Sequence, residues 1–269
     1  HLDSVLVDHG FSLATDQVLA NYQLQANFDY YNFSTYNASM LISKADSSIF
    51  VRLLSQKPLI SVFTNRYQSN YFRFDTNFLD FKKHHLFFSY TKNDFYFSND
   101  LTVFDNYIYL NQDQHFSQNF EQFFHLKSDI AFKWKWRLLH GAHSLTYQQS
   151  SNNDVFRVPA YTFFTELYIN PILFEESLDL KLGSTLRYFS SYYANAYSPA
   201  LANTYLQDDQ LVGNFPFLTV YANFWIETVN IEFQLANLFD KFTDESYYVI
   251  PNIPYYRSPF QLLVSWQFN

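Results

Sequence analysis

The chain has 269 residues, a net charge of −8 and no cysteine. The length suits one domain or one barrel, the acidic balance argues against nucleic acid as a partner, and the lack of cysteine excludes a disulfide scaffold and thiol chemistry. Aromatic residues make up 22% of the chain, with 32 Phe and 23 Tyr, a content typical of membrane strands with aromatic girdles rather than of a soluble domain.

Apolar and polar residues alternate from Asn21 onward with a period of two. This pattern predicts β-strands, because successive side chains of a strand point to opposite faces. The first clear strand covers residues 21–30, and less regular strands are expected near 36–45 and 48–56. Residues 1–16 are expected to form a loop or an incomplete strand. No apolar run of about 18 residues occurs, so the pattern predicts no membrane-spanning helix.

The stretch upstream of residue 120 is less regular. A long connection is expected over residues 57–70, and alternating aromatics then predict a strand over 72–78. The polar cluster at 82–84 predicts one turn and the cluster at 92–94 another. With this assignment the long connections at 57–70 and 105–119 fall three strands apart. Short and long connections should alternate in an antiparallel barrel, so either a strand is missed or one is assigned wrongly.

The alternation continues downstream of residue 120. Residues 124–138 carry apolar side chains at even positions and charges at odd ones, which predicts one long strand or two strands with a turn near 133–135. Strands over 161–170 and 178–187 follow, and a tight reversal is expected at 227–228.

The last strand, residues 259–269, has one fully apolar face. Phe260, Leu262, Val264, Trp266 and Phe268 share that face, and its length suits a tilted membrane strand of about 9–11 residues.

Together these elements predict an all-β fold, an antiparallel transmembrane β-barrel with about 12–14 strands in this chain. We expect a single barrel domain over residues 1–269, integral to the outer membrane of a Gram-negative cell. Because the chain begins at His1 rather than Met, either a signal segment was removed or this is the C-terminal part of a larger barrel.

Charged residues on the polar strand faces are the candidate functional residues. A charge in hydrocarbon costs about 2–4 kcal/mol at mid-depth, so these side chains should face a wet interior. The expected pore-lining residues are Arg73, Asp75, Asp129, Lys133, Lys135, Arg137, Glu166, Asp179, Lys181, Arg187 and Glu232. The expected membrane-interface aromatics are Trp134, Trp136, Trp266 and Phe268. An open alternative is that these charges pair with one another and merely fill the interior.

Several segments resemble the "putative porin" family of outer-membrane proteins from Bacteroidetes. They are residues 69–75 (SNYFRFD), 106–110 (NYIYL), 192–200 (YYANAYSPA), 213–223 (GNFPFLTVYAN) and 258–269. Their order and spacing carry the resemblance, which implies an outer-membrane β-barrel with a pore activity. The tail over residues 236–269 is also similar to the end of TonB-dependent receptors, although no plug domain or energy-coupling box is recognisable.

We expect a channel for passive diffusion of small hydrophilic solutes, with outer-membrane lipid, these solutes and other outer-membrane proteins as partners. The alternative is a structural barrel subunit that anchors a larger complex. A third reading, an outer-membrane phospholipase-like enzyme, would use Ser117 as nucleophile and His115 as base. We expect no enzyme and no cofactor. We also expect no metal site, because His84 and His85, like His140 and His143, should point to opposite faces of their strands.

Overall fold

The computed structural model describes residues 10–31, 35–68, 72–173, 178–242, 248–254 and 260–266. Thirteen long strands pair antiparallel with their neighbours in chain order, and the short strand Ile172–Leu173 adds a fourteenth beside the tenth. The thirteen are β1 (Gly10–Leu19), β2 (Tyr22–Tyr31), β3 (Thr35–Lys44), β4 (Ile49–Lys57), β5 (Lys82–Lys92), β6 (Phe95–Asp105), β7 (Phe123–Trp136), β8 (Leu139–Ser150), β9 (Tyr161–Ile169), β10 (Leu178–Phe189), β11 (Phe217–Ile226), β12 (Val229–Leu235) and β13 (Phe260–Trp266). The strand count confirms the expected 12–14.

The register separates the sheet into an apolar face and a polar face. On the apolar face, Leu182 lies opposite Ala222 in the next strand, and Ala222 lies opposite Phe233. On the polar face, Lys133 lies opposite Ala142, and Ala142 lies opposite Glu166. Because directly opposed residues share a face, the period of two within each strand continues across neighbouring strands.

The connections divide into a tight-turn rim and a loop rim. On the tight-turn rim, two-residue turns at 20–21, 93–94, 137–138 and 227–228 join neighbouring strands. The first residue of each turn is left-handed: Ala20, Asn93, Arg137 and Glu227 have φ between 49° and 55°. The loop rim carries the long connections 58–81, 106–122, 151–160, 190–216 and 236–259.

The buried core of the chain lies at the loop rim. Phe104, Phe123 and Val155 form a buried cluster, against which Tyr107 and Phe156 pack. The rings of Phe104 and Phe123 stack with centroids 5.1 Å apart. This core therefore joins the ends of β6 and β7 to the connection that follows β8.

A separate four-stranded sheet, the loop sheet, forms within the long connections. Its order is Phe116–Asn119, Tyr107–Leu110, Asn203–Tyr205 and Ala196–Ser198. It ties the connection after β6 to the connection after β10 through the Tyr205–Leu110 pairing.

Smaller elements complete the loop rim. They are the helix Val62–Asn65, the hairpin Arg66–Gln68 with Arg73–Asp75, the 3-10 helix Leu238–Phe242, and the hairpin Tyr248–Ile250 with Ile253–Pro254. Of the helical segments in the described ranges, none has the length and apolar character needed to cross a membrane.

Two elements expected from the sequence were wrong. Residues 72–78 do not form a strand of the main sheet, since only Arg73–Asp75 is extended and it pairs within the loop rim. Residues 82–84 are not a turn but the start of β5, so the connection from β4 runs from 58 to 81. With these two corrections, all five long connections fall on one rim.

Four further boundaries test the expected elements. The turn after β7 lies at 137–138, not near 133–135, so residues 123–136 form one long strand. The turns at 92–94 and 227–228 are confirmed. β1 begins at Gly10, so part of the segment 1–16 is strand, while residues 1–9 and Phe268 lie outside the described ranges.

Candidate functional site

The polar face carries a network centred on Glu166 of β9. The Lys181 ammonium donates to the Glu166 carboxylate at 2.7 Å, and the Tyr221 hydroxyl donates to the same oxygen. Lys181 Nζ also lies 3.9 Å from the centroid of the Tyr168 ring, and the His140 ring stacks on Tyr168 with centroids 4.7 Å apart. Five side chains from four consecutive strands therefore form one connected group, the Glu166 network.

A glycine makes this close packing possible. Gly183 of β10 lies opposite Tyr168 on one side and opposite Tyr221 on the other. A Cβ at Gly183 would lie 2.6 Å from the Tyr221 hydroxyl and 2.7 Å from the Tyr168 Cβ. The missing side chain thus lets the two tyrosines lean over β10 and meet Lys181 and Glu166.

Two further cations lie beside this network. Lys133 and Lys135 of β7, together with His140, Glu166 and Tyr168, line a cavity of about 270 Å³. Within the described ranges neither ammonium group makes a hydrogen bond or ion pair, in contrast to Lys181. Asp94 and Glu166 line the same cavity, but among the described residues neither carboxylate lies within ion-pair distance of these two ammonium groups.

The half of the polar face nearer the loop rim is ion-paired. Lys127 Nζ lies 3.1 Å from the Asp129 carboxylate, which also accepts from Thr146 at 2.5 Å. In the same region, His85 Nε2 lies 2.7 Å from the Asp100 carboxylate. In this part of the face the Lys127 charge is therefore compensated by Asp129, and His85 gives Asp100 a hydrogen-bond partner.

The other expected lining residues make weaker contacts. Glu232 accepts from the Asn223 amide at 3.1 Å, and the Arg187 guanidinium lies 5.6 Å from the Phe164 ring centroid. Asp179 occupies the polar face of β10, opposite Trp225.

The structure places three of the expected lining residues elsewhere. Arg73 and Asp75 lie in the loop-rim hairpin, where Asp75 pairs with Arg66 at 3.0 Å. Arg137 occupies the turn after β7, with its guanidinium 5.6 Å from the Trp136 ring. The remaining eight lie on the polar face of the sheet: Asp129, Lys133, Lys135, Glu166, Asp179, Lys181, Arg187 and Glu232. Whether any of the eleven lines a pore stays a prediction.

Sequence reasoning missed several polar-face residues. Asp100 and His85 lie in strands whose register or boundary was uncertain, whereas Lys127, two positions before Asp129, had a detectable signal in its parity. His140, Tyr168 and Tyr221 share the network because of cross-strand register, which a single strand does not reveal.

The expected interface tryptophans lie on the apolar face near the tight-turn rim. Trp134 Nε1 donates to His143 Nε2 at 2.8 Å, and the Trp134 ring covers Gly141 on the next strand. Trp266 lies opposite Val229 at the start of β12. Trp134 and Trp136 of β7 and Trp266 of β13 thus reach the same end of the sheet from two distant parts of the chain.

The histidine pairs point apart as expected. His84 approaches Ser55 Oγ at 3.0 Å, whereas its neighbour His85 contacts Asp100 on the opposite face. His140 belongs to the Glu166 network, and His143 contacts Trp134 on the apolar face.

Ser117 lies in the strand Phe116–Asn119, opposite Tyr109, and His115 precedes that strand. Among the described contacts no hydrogen bond joins the His115 and Ser117 side chains.

Comparison with solved structures shows the same architecture in outer-membrane receptors. The FrpB iron transporter from Neisseria meningitidis aligns with a TM-score of 0.61 at 12% identity, over 96% of this chain and 44% of that chain. BauA, the ferric preacinetobactin receptor from Acinetobacter baumannii, aligns with a TM-score of 0.54 at 14% identity, over 96% and 42%. The siderophore receptor PiuA from Acinetobacter baumannii gives 0.56 at 10% identity, over 95% and 41%.

These proteins are TonB-dependent receptors, which are outer-membrane β-barrels, and the chain spans less than half of their length. At such low identity the likeness shows the fold alone. No curated protein matches the sequence. The family model described as "Putative porin" matches residues 9–269. The chain therefore belongs to the "Putative porin" family and is an integral outer-membrane β-barrel protein.

Proposed function

We propose that the polar face of the sheet lines a water-filled passage through which small hydrophilic solutes cross the outer membrane by passive diffusion. The apolar face then contacts lipid, because hydrocarbon accepts Leu, Val and Phe side chains but not charges. The whole barrel sets the width of the passage, and the described part of this chain supplies thirteen long strands to its wall.

The observation that carries the proposal is that Lys133 and Lys135, at the cavity of about 270 Å³, make no ion pair among the described residues, although Asp94 and Glu166 line the same cavity. An ammonium group without a carboxylate partner needs water, because burying an unpaired charge costs several kcal/mol. A dry or protein-filled interior would favour pairing Lys133 and Lys135 with acids. Their unpaired state therefore supports a hydrated interior at this level of the wall.

The test is ion conductance of the purified, full-length natural protein in a planar lipid bilayer. We expect stepwise conductance with a contribution of Lys133 and Lys135 to anion preference, because charged groups on a pore wall set ion selectivity. The double variant Lys133→Gln, Lys135→Gln should shift the permeability ratio towards cations and leave folding intact.

Arg137→Gln is the matched control. It removes one positive charge two residues beyond Lys135, but Arg137 lies in the turn against Trp136, so its loss should change selectivity less per charge removed. A well-inserted protein that never conducts would contradict the passage. Equal shifts in the double variant and the control would contradict the role given to the two lysines.

A second candidate function, a structural barrel with a filled interior, draws support from the ion pairs of the polar face. Lys181 of β10 pairs with Glu166 of β9, and Lys127 pairs with Asp129 two positions further along β7. If such pairs occlude the lumen, natural protein should be silent, and Lys181→Gln should be the variant in which conductance first appears.

A further inference from the structure

A second cavity, the rim pocket, lies outside the polar face of the sheet. It has a volume of about 710 Å³ and sits at the loop end of β8, between the connections 151–160 and 190–216. This volume falls within the range of about 300–1,000 Å³ typical of small-ligand sites. Its walls include the side chains of Tyr147, Asn153, Asp154, Ser191, Tyr192 and Tyr193, together with those of Arg157 and Asp208.

A buried arginine fixes the base of the rim pocket. The Arg157 side chain is only 11% exposed, pairs with the Asp208 carboxylate at 2.7 Å and donates to the Gln207 carbonyl at 2.7 Å. Its guanidinium also lies 5.9 Å from the centroid of the Tyr193 ring. Arg157 therefore joins the connection after β8 to the connection after β10, and its charge is already compensated.

Hydrogen-bonding groups around the opening are left without protein partners. Within the described residues, the side chains of Asn153, Asp154 and Ser191 and the hydroxyl of Tyr193 make no hydrogen bond. They offer an amide, a carboxylate and two hydroxyls, so donors and acceptors occur together. Burial raises the pKa of the Tyr192 hydroxyl, which keeps that group a neutral donor at the same wall.

The charge of the rim pocket is weakly negative. Arg157 and Asp208 cancel, and Asp154 adds one carboxylate that has no cation at contact distance among the described residues. An anion would therefore meet repulsion, and a single exposed carboxylate gives a cation little affinity. Tyrosine rings supply apolar faces beside these polar groups, and a ring face attracts the weakly positive C–H bonds of a ligand.

We propose that the rim pocket binds a neutral, hydroxyl-rich solute, in chemical terms a short oligosaccharide. Such a ligand presents hydroxyls that both donate and accept to Asn153, Asp154 and Ser191. Its C–H faces pack on Tyr193 and Tyr147. The inference goes beyond passive passage by naming a solute class, and it rests on the proposed passage only for the step that follows binding.

The test is isothermal titration calorimetry on the detergent-solubilised full-length protein. Maltotriose, cellotriose and triacetylchitotriose serve as neutral probes, and citrate and spermidine as anionic and cationic probes. We expect saturable binding of at least one neutral probe and weaker or no binding of the ions. Tyr193→Ala should weaken that binding about tenfold, since it removes a ring face from the site.

Tyr197→Ala is the matched control, because Tyr197 is a tyrosine of the loop sheet that is 56% exposed and lies outside the rim pocket. Asn153→Ala is a second test variant, since its exposed side chain holds no other residue in place. It too should weaken binding, with unchanged thermal unfolding.

Three results would overturn the inference: no neutral probe binds, an ion binds more tightly than every neutral probe, or both pocket variants bind as the natural protein does. Calorimetry requires no open lumen. A protein that binds sugar but does not conduct therefore refutes the passage alone, and one that conducts without binding refutes the rim pocket alone.

Discussion

The two rims of this sheet differ in the burial of their side chains. At the tight-turn rim, two-residue turns join the strands and the side chains remain accessible. The loop rim holds every buried apolar residue of the described ranges, either in a long connection or at the strand ends beside one, as for Phe104, Phe123 and Phe217. Among the described residues, the strands within the membrane thus enclose no buried apolar cluster, whereas the connections outside the membrane do.

The difference shows where each kind of stabilisation acts. Within the bilayer, the ladder of backbone hydrogen bonds holds the strands, because lipid offers those groups no alternative partner. Outside the bilayer, water surrounds the connections, and burying aromatic area stabilises them as in a soluble protein. A substitution should therefore have different consequences at the two ends of the sheet.

Phe123 and Phe124 provide the sharpest contrast, because Phe123 is 4% exposed in the loop-rim core and its neighbour Phe124 is 41% exposed on the apolar face. Phe123→Ala should destabilise the loop rim by about 3–5 kcal/mol, since it opens a cavity beside Phe104. Phe124→Ala should cost much less. Limited proteolysis of the connections reports the effect, and equal cleavage of the two variants would refute the assignment of the core.

Leu182 and Thr185 test the two faces of β10. Leu182→Arg should lower the free energy of unfolding in lipid by about 2–4 kcal/mol, because the guanidinium would meet hydrocarbon. Thr185→Arg places the same side chain on the polar face, opposite Glu166, and should fold normally. Urea titration in lipid vesicles gives both values. A similar loss in the two variants would mean that the faces are assigned wrongly.

Gly183→Val tests the tight contact in the Glu166 network. The new side chain would displace Tyr168 and Tyr221, because atoms of both tyrosines lie within 2.7 Å of the position that a Cβ would take. We expect a loss of about 1–3 kcal/mol from overpacking and a change in tyrosine fluorescence. Ser184→Val, which adds similar bulk on the apolar face, is the control and should not destabilise the protein.

Glu227→Gly should have the smallest effect. Glu227 has a φ of 49°, in the left-handed region that side chains disfavour, so glycine should raise the stability by about 0.5 kcal/mol. Thr228→Gly, one position on and outside that region, should instead lower it. The midpoints of urea unfolding compare the two, and a loss at both positions would show that the turn is not strained.

Much of the sheet follows from alternation alone. The faces of β7, β10 and β13 were predicted correctly, because each strand has one apolar and one polar parity over many residues. The error at 72–78 has a physical reason. Phe72, Phe74 and Phe78 are spaced as in a membrane strand, but Phe74 is buried in the loop rim against Phe116. Burial in an aromatic core outside the membrane favours the same residue type as a membrane strand does.

The turn after β7 shows a second limit. Its two residues, Arg137 and Leu138, are not of the types that usually mark a tight turn, such as Gly, Pro, Asn or Asp. The sequence therefore could not place this turn. Its position matters for the candidate site, because a two-residue turn sets Lys133 opposite Ala142 and Lys135 opposite His140. Parity predicted which charges share the polar face, but the contacts of Glu166, Lys181 and Tyr221 depend on register across three strands.

The loop sheet also has a geometric consequence. It joins the connection after β6 to the connection after β10, and Gln112 donates to Asp208 while Ser198 donates to Gln114 along the same junction. Between these two points the wall passes through β7, β8, β9 and β10. The loop sheet fixes the distance between the two ends of this four-stranded segment, and that distance limits how strongly the segment can bend. The connections outside the membrane therefore help to set the curvature of the wall within it.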